Sequence, residues 1–142
     1  MIIMKRVFLS FANEDTQKVK NLMPLLSSPE YVLDFYAGAL DTDIDAPGAD
    51  EIKQAIGEKI VKCSIVICLI SENTHNSKWV DAELAKNRNK GNRIIAMALK
   101  GTQDAVLPAV VREENLTFYP WDPQRLKELI AKDTHKLFNN ST

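Results

Sequence analysis

Cysteine and histidine are scarce, with two of each in 142 residues. Cys63 and Cys68 both lie inside apolar patterns, with no second cysteine pair and no nearby histidine to complete a metal site. They read as small core residues of a cytosolic protein, and the isolated His75 and His135 read as surface or capping residues rather than ligands. An excess of one charge is also missing. The 18 Lys and Arg residues stand against 19 Asp and Glu, spread along the chain for a formal net charge of -1, so the electrostatic footprint of a nucleic-acid binder is absent. No apolar stretch approaches the ~18–20 residues of a membrane span. The apolar opening MIIMKRVFLSF is broken by Lys5 and Arg6 and does not read as an export signal. There is no internal repeat, low-complexity tract or linker, and 45% hydrophobic residues suit a single domain over residues 1–142 with one core.

What is present is an alternation of two periods. RVFLSF (6–11) is a short apolar strand, and NEDTQKVKNLMPLL after it carries Val19, Leu22, Met23 and Leu26 at helical spacing, with Pro24 set to kink or end the helix. YVLDFY (31–36) is a second strand. The stretch 37–50, AGALDTDIDAPGAD, is an acidic loop in which Pro47 and Gly48 prevent regular structure. From Glu51, the residues Ile52, Ala55, Ile56 and Ile60 mark a second helix. SIVICLI (64–70) is apolar at nearly every position, as a parallel strand covered on both faces must be. A helix stopped by Gly91 follows, then the strand RIIAMAL (93–99), a weaker strand LTFY (116–119), and an amphipathic helix from Pro123 to Phe138 before the tail NNST.

Strands alternating with helices predict an α/β, three-layer fold: a five-stranded parallel sheet of order 2-1-3-4-5 with helices on both faces, as in flavodoxin. Ligands of such sheets bind at the carboxyl ends of the strands beside the switch point, here between the first and third strands. Ser10, Phe11 and Asn13 follow the first of these, and Ser71, Glu72 and Asn73 follow the third.

One carboxylate stands out. In NSKWVDAEL (76–84), Trp79, Val80 and Leu84 span one arc of a helix, and Asp81 and Arg88 fall on the opposite, water-facing side. Glu83 lies inside the apolar arc, one turn after Trp79. Either it pairs with a Lys or Arg or escapes at a frayed end, or it belongs to a site, since ionisable groups held against aromatic surface in a cleft are where acid–base behaviour is tuned.

VFLSFANEDT resembles the opening motif of TIR domains, and SKWVDAEL resembles the TIR stretch in which Trp precedes a glutamate by four residues. The resemblance runs through KCSIVICLISENTHNSKWVDAELAKNRNKGNRIIAMAL. It is closest to the bacterial TIR-like proteins of Thoeris-type antiphage defence, covers roughly residues 5–100 and fades beyond Gly101. Ala12 and Asn13 stand where many TIR domains carry Arg and Gly, and Val80 where animal and plant members often have Cys.

The resemblance implies an NAD glycohydrolase or ADP-ribosyl cyclase: a signalling enzyme that releases nicotinamide and hydrolyses or cyclises the ADP-ribose part. NAD is then substrate rather than cofactor, and Glu83 is the catalytic residue. Ser10, Phe11, Asn13, Ser71 and Trp79 become candidate binding residues. For Phe11 and Trp79 the choice is between stacking on a flat ring and packing in the core. For Ser10, Asn13 and Ser71 it is between donating to the nucleotide and forming turns. The glycine-rich turn of dinucleotide-binding sheets is missing, so phosphate must be gripped by another arrangement.

Asp41, Asp43 and Asp45 lack the glycine and distal glutamate of a calcium loop, so no metal is expected. The resemblance makes residues 37–50 a candidate lid. The implied partners are NAD or a related nucleotide, together with a second copy of the chain or a downstream effector protein. The alternative is a TIR-type module that assembles without catalysis. A phosphoacceptor receiver would share the sheet order and use Glu14 and Asp15 as its acidic pair. It needs an aspartate at the end of the third strand, where this chain has Ser71 and Glu72.

Overall fold

The computed structural model describes residues 4–36 and 42–140, with residues 133–140 as backbone only. Five strands, β1 (Lys5–Ser10), β2 (Tyr31–Asp34), β3 (Ile65–Ile70), β4 (Arg93–Ala98) and β5 (Phe118–Tyr119), form one sheet of order β2-β1-β3-β4-β5. Every pairing is parallel. The helices are α1 (Thr16–Leu26), α2 (Ala49–Val61), α3 (Lys78–Lys90), α4 (Ala109–Glu113) and α5 (Pro123–Asn140).

The alternation within the strands explains the layers. On one face Val7 and Leu9 of β1, Ile65, Ile67 and Leu69 of β3, and Ile95 and Met97 of β4 pack against Val19 and Leu26 of α1 and Leu126, Leu129 and Ile130 of α5. On the other, Phe8, Val66, Cys68, Ile70 and Ala96 meet Ile56 and Ile60 of α2, Trp79, Val80 and Leu84 of α3, and Val110 and Val111 of α4. All six residues of β3 are buried, which is why that strand shows no polar alternation.

Several boundaries differ from those the sequence predicts. Strand β2 stops at Asp34, because Phe35 and Tyr36 leave the ladder, and β5 contracts to its last two residues. Helix α1 runs to Leu26, two residues past Pro24, and is closed by the Ser27 N–H and hydroxyl, both donating to the Met23 carbonyl at 2.9 Å. Helix α2 starts at Ala49, so the acidic loop ends at Gly48. Of that loop, 37–41, including Asp41, lies outside the described residues. Helix α4 has no counterpart in the sequence reading, because a five-residue helix after Pro108 is too short to show a period. It flanks α3 and corrects one expectation. Asp81 is half-buried rather than washed by water, and burial, then the charge of Glu113, raise its carboxyl above the usual range. In the tail, Asn139 and Asn140 still belong to α5, while 141–142 lie outside the described residues. No helix among the described residues is long and apolar enough to cross a membrane.

Candidate active site

Helix α3 is locally well specified. Ser77 caps its start by accepting the Val80 N–H at 3.2 Å, and Gly91 ends it in the left-handed region at φ 88°. Its buried residues are Trp79, Val80, Glu83, Leu84 and Asn87, one face of the cylinder. Glu83 therefore points inward and retains 6% exposure. It reaches the carboxyl end of β1, where the Ser10 hydroxyl donates to Glu83 Oε1 at 2.8 Å. Ser10 is paired in register with Cys68 of β3, so the contact sits at the switch point of the sheet.

No Lys or Arg among the described residues forms an ion pair with Glu83, and its second oxygen has no hydrogen-bond partner among them. Among the described residues, neither an ion pair nor a frayed end accounts for its position. Burial pushes its carboxyl up to about 8, with the Ser10 hydrogen bond acting in the opposite sense. Burial, followed by the charges of Glu83 and Asp81, also holds the Cys68 thiol far above its ordinary value. That thiol is buried in the core on this face of the sheet and is inert as a nucleophile.

A second polar cluster ties the chain after β1 to the carboxyl end of β3. After β1 the chain makes a single 3-10 turn, Asn13–Asp15, which places Asp15 at 2% exposure. The Ser71 hydroxyl donates to Asp15 Oδ2, and Asn73 Nδ2 approaches Asp15 Oδ1 at 3.5 Å. The Ser71 oxygen also accepts the Asn73 N–H at 3.0 Å, and the Ser71 N–H donates to Thr74 Oγ1 at 2.8 Å.

The predicted residues thus separate. Ser10 and Glu83 are in contact. The one hydroxyl proton of Ser71 is committed to Asp15. Asn13 is half-buried in the 3-10 turn, and its carbonyl accepts the Thr16 hydroxyl at 2.7 Å. Phe11 is buried on the α1 face, its ring 5.7 Å from that of Phe35. Trp79 is buried on the opposite face, and its indole N–H donates to the Thr42 carbonyl at 2.9 Å. Near it, Lys78 pairs with Asp45 at 3.6 Å, so α3 fastens the described part of the acidic loop twice. Asp15, Asn73 and Thr74 are the participants the sequence did not single out as a group. Their signal was weak, since short polar residues after strands are ordinary turn formers.

Residues 8–104 match the family model of the Thoeris protein ThsB, TIR-like domain, well over half of the chain. The chain belongs to this family. The matched segment runs from within β1 to beyond β4 and includes Ser10, Asp15, Ser71, Trp79 and Glu83. This ThsB TIR-like chain is also similar in structure to the CMP N-glycosidase BcmB of Clostridium botulinum, at 18% identity and a TM-score of 0.56. The match covers 89% of this chain and 99% of that one, and the likeness is one of fold. No match to a curated protein sequence is found.

Proposed function

We propose that the chain cleaves the bond between nicotinamide and ribose in NAD, passing the ADP-ribose part to water or to its own nucleotide as a signal in antiphage defence. The observation that carries this reading is Glu83: a buried carboxyl at the switch point, held by one hydroxyl and unopposed by any cation among the described residues. Membership of the ThsB TIR-like family supports it. So does a fold shared with an enzyme that breaks an N-glycosidic bond in another nucleotide.

The chemistry suits one carboxylate. The ribose–nicotinamide bond breaks with its electron pair going to the ring nitrogen, which turns a cationic ring into a neutral leaving group and needs no general acid. The positive charge passes to an oxocarbenium-like ribose, which Glu83 stabilises as carboxylate. Water then adds to the anomeric carbon and loses a proton, or a hydroxyl or ring nitrogen of the same nucleotide closes a cycle. The cationic ring also draws Glu83 into its charged form on binding, since an opposite charge nearby favours ionisation. The molecules it meets, on this reading, are NAD or a related nucleotide and either a second copy of itself or a downstream effector.

Incubation of the purified chain with NAD, and separately with CMP, tests the reading. Nicotinamide from NAD, lost in Glu83→Gln, is the expected result. Cytosine from CMP instead would make Glu83 a proton donor to a neutral base, a role its raised pKa also allows. Release of neither base at high protein concentration would leave assembly without catalysis as the better account.

A further inference from the structure

No Lys or Arg among the described residues pairs with Glu83, and the glycine-rich turn that often holds a nucleotide's phosphates is absent from the sequence. On the other face of the sheet, at the same carboxyl edge, lies a groove of about 390 Å³ lined by Lys18, Asn21, Leu22, Lys100 and Gly101. Its polar side chains are two ammonium groups and one amide. Among the described residues neither ammonium has a carboxylate within salt-bridge distance, not even Glu14, one helical turn before Lys18. The Asn21 carbonyl oxygen is taken by Gln17 Nε2 at 2.9 Å, which leaves its amide N–H groups for the groove.

Lys18 is in the first turn of α1, the end of a helix where the dipole disfavours a cation, and it shares the groove with a second unpaired cation. An anion relieves both costs. A second lysine-bearing groove, between α2 and α3, has an ordinary structural reason. There Lys86 and Lys90 lie toward the C-terminus of α3, where cations are favoured, and Lys90 donates to the carbonyls of Ile60 and Cys63.

The first groove is fastened to the carboxyl end of β3. Asp15, immediately before α1, is bound by Ser71 at the end of β3. The chain around Lys100 is held to the same strand end by the Leu99 N–H on the Ile70 carbonyl at 2.9 Å and the Val106 N–H on the Ser71 carbonyl at 3.4 Å. A ligand with its reacting bond at Glu83 and an anionic part at Lys18 and Lys100 must cross the ends of β1 and β3. That calls for an extended molecule with charge at its middle.

We propose that the groove between α1 and the turn at Lys100–Gly101 holds the pyrophosphate of a dinucleotide, a subsite that rests on, and extends, the reading of Glu83. Titration calorimetry of the full chain with ADP-ribose and with inorganic pyrophosphate at low salt tests it. Lys18→Ala/Lys100→Ala should weaken both by about tenfold or more, while Lys18→Arg/Lys100→Arg retains binding. Unfolding midpoints confirm that these exposed positions leave the fold intact. Unchanged affinity in the double alanine variant, or no binding of either probe to the parent, overturns the proposal. If the parent releases no nicotinamide yet binds pyrophosphate through these lysines, the anion subsite stands and the reading of Glu83 falls. If NAD is cleaved with the same KM by parent and alanine variant, the reverse holds.

Discussion

Two buried carboxylates stand at the carboxyl edge of one sheet, and the fold treats them differently. Asp15 is approached on both oxygens, by the Ser71 hydroxyl and the Asn73 amide, and its donors come from the neighbouring strand end. Glu83 receives one hydroxyl on one oxygen. A carboxylate whose acceptor sites are filled by the protein is part of the frame. One that is buried, held by a single hydroxyl and without a counter-charge among the described residues costs stability in its ionised form, and such a cost persists where it has a use. On the proposed reading, Asp15 holds the strand ends and Glu83 acts beside them.

The sharpest way to break that contrast is to neutralise Glu83 without changing its shape. Glu83→Gln should lower nicotinamide release on the order of a thousandfold or more, the scale for losing a charge aimed at the reacting centre, with substrate affinity changed far less. Steady-state kinetics on a variant of unaltered fold measures this. Retained turnover would make Glu83 a frame residue like Asp15.

The same variant probes the cost itself. Unfolded, the Glu83 carboxyl loses its proton near the ordinary value of 4.5; folded, it keeps it up to about 8. Between these pH values the native state holds a proton the unfolded state lacks, so the contribution is fully present below 4.5 and is lost as pH rises through 8. Stability of the parent relative to Glu83→Gln should therefore fall across this window, by on the order of a few kcal/mol in total. Urea unfolding of both proteins at pH 5 and pH 9 reads the difference. Parallel behaviour at the two pH values would mean that Glu83 is not ionising against burial.

Asp15 should show the opposite pattern: a smaller effect on chemistry and a plain loss of stability. Asp15→Ala removes the acceptor of the Ser71 hydroxyl and of the Asn73 amide, leaving groups at the β3 end unsatisfied at a cost of roughly 1–3 kcal/mol. A lowered urea midpoint is the expected result. A variant as stable as its parent would remove the distinction between the two sites.

How much of this was legible beforehand depends on the kind of signal. The strand order and both layers follow from β3 being apolar throughout and from the helical spacing of Ile56, Ile60, Val80 and Leu84, because burial imposes those periods directly. Glu83 was legible for the same reason, as the exception inside an apolar arc. Its partner was not. Ser10 and Glu83 are 73 positions apart, and their contact depends on register between a strand and a helix packed across it. Asp15 with Ser71 was hidden in the same way, 56 positions apart and built of residues that any turn could carry. The half-burial of Asp81 depends on α4, whose single turn leaves no period to read.

The smallest effect concerns Ser10, and it tests whether that hydroxyl touches the nucleotide or positions Glu83. As the only donor to the carboxyl among the described residues, it favours the ionised form, opposing the burial that raises the pKa to about 8. Ser10→Ala removes this opposition and leaves no new charge, so the carboxyl should titrate higher by about one unit, the scale of one hydrogen bond to a charged group. If Glu83 acts as carboxylate, kcat/KM of the parent rises with pH through the region of 8, and the variant's profile moves to higher pH. The kcat profile should lie lower in both proteins, because the cationic substrate favours ionisation once bound. At pH values above both midpoints the two enzymes should approach each other in rate, since Glu83 is then charged in each. A direct nucleotide contact gives a different result, with KM raised at every pH and the midpoint unmoved. Infrared titration of the labelled Glu83 carboxyl, which needs no turnover, separates the two outcomes in the protein without substrate.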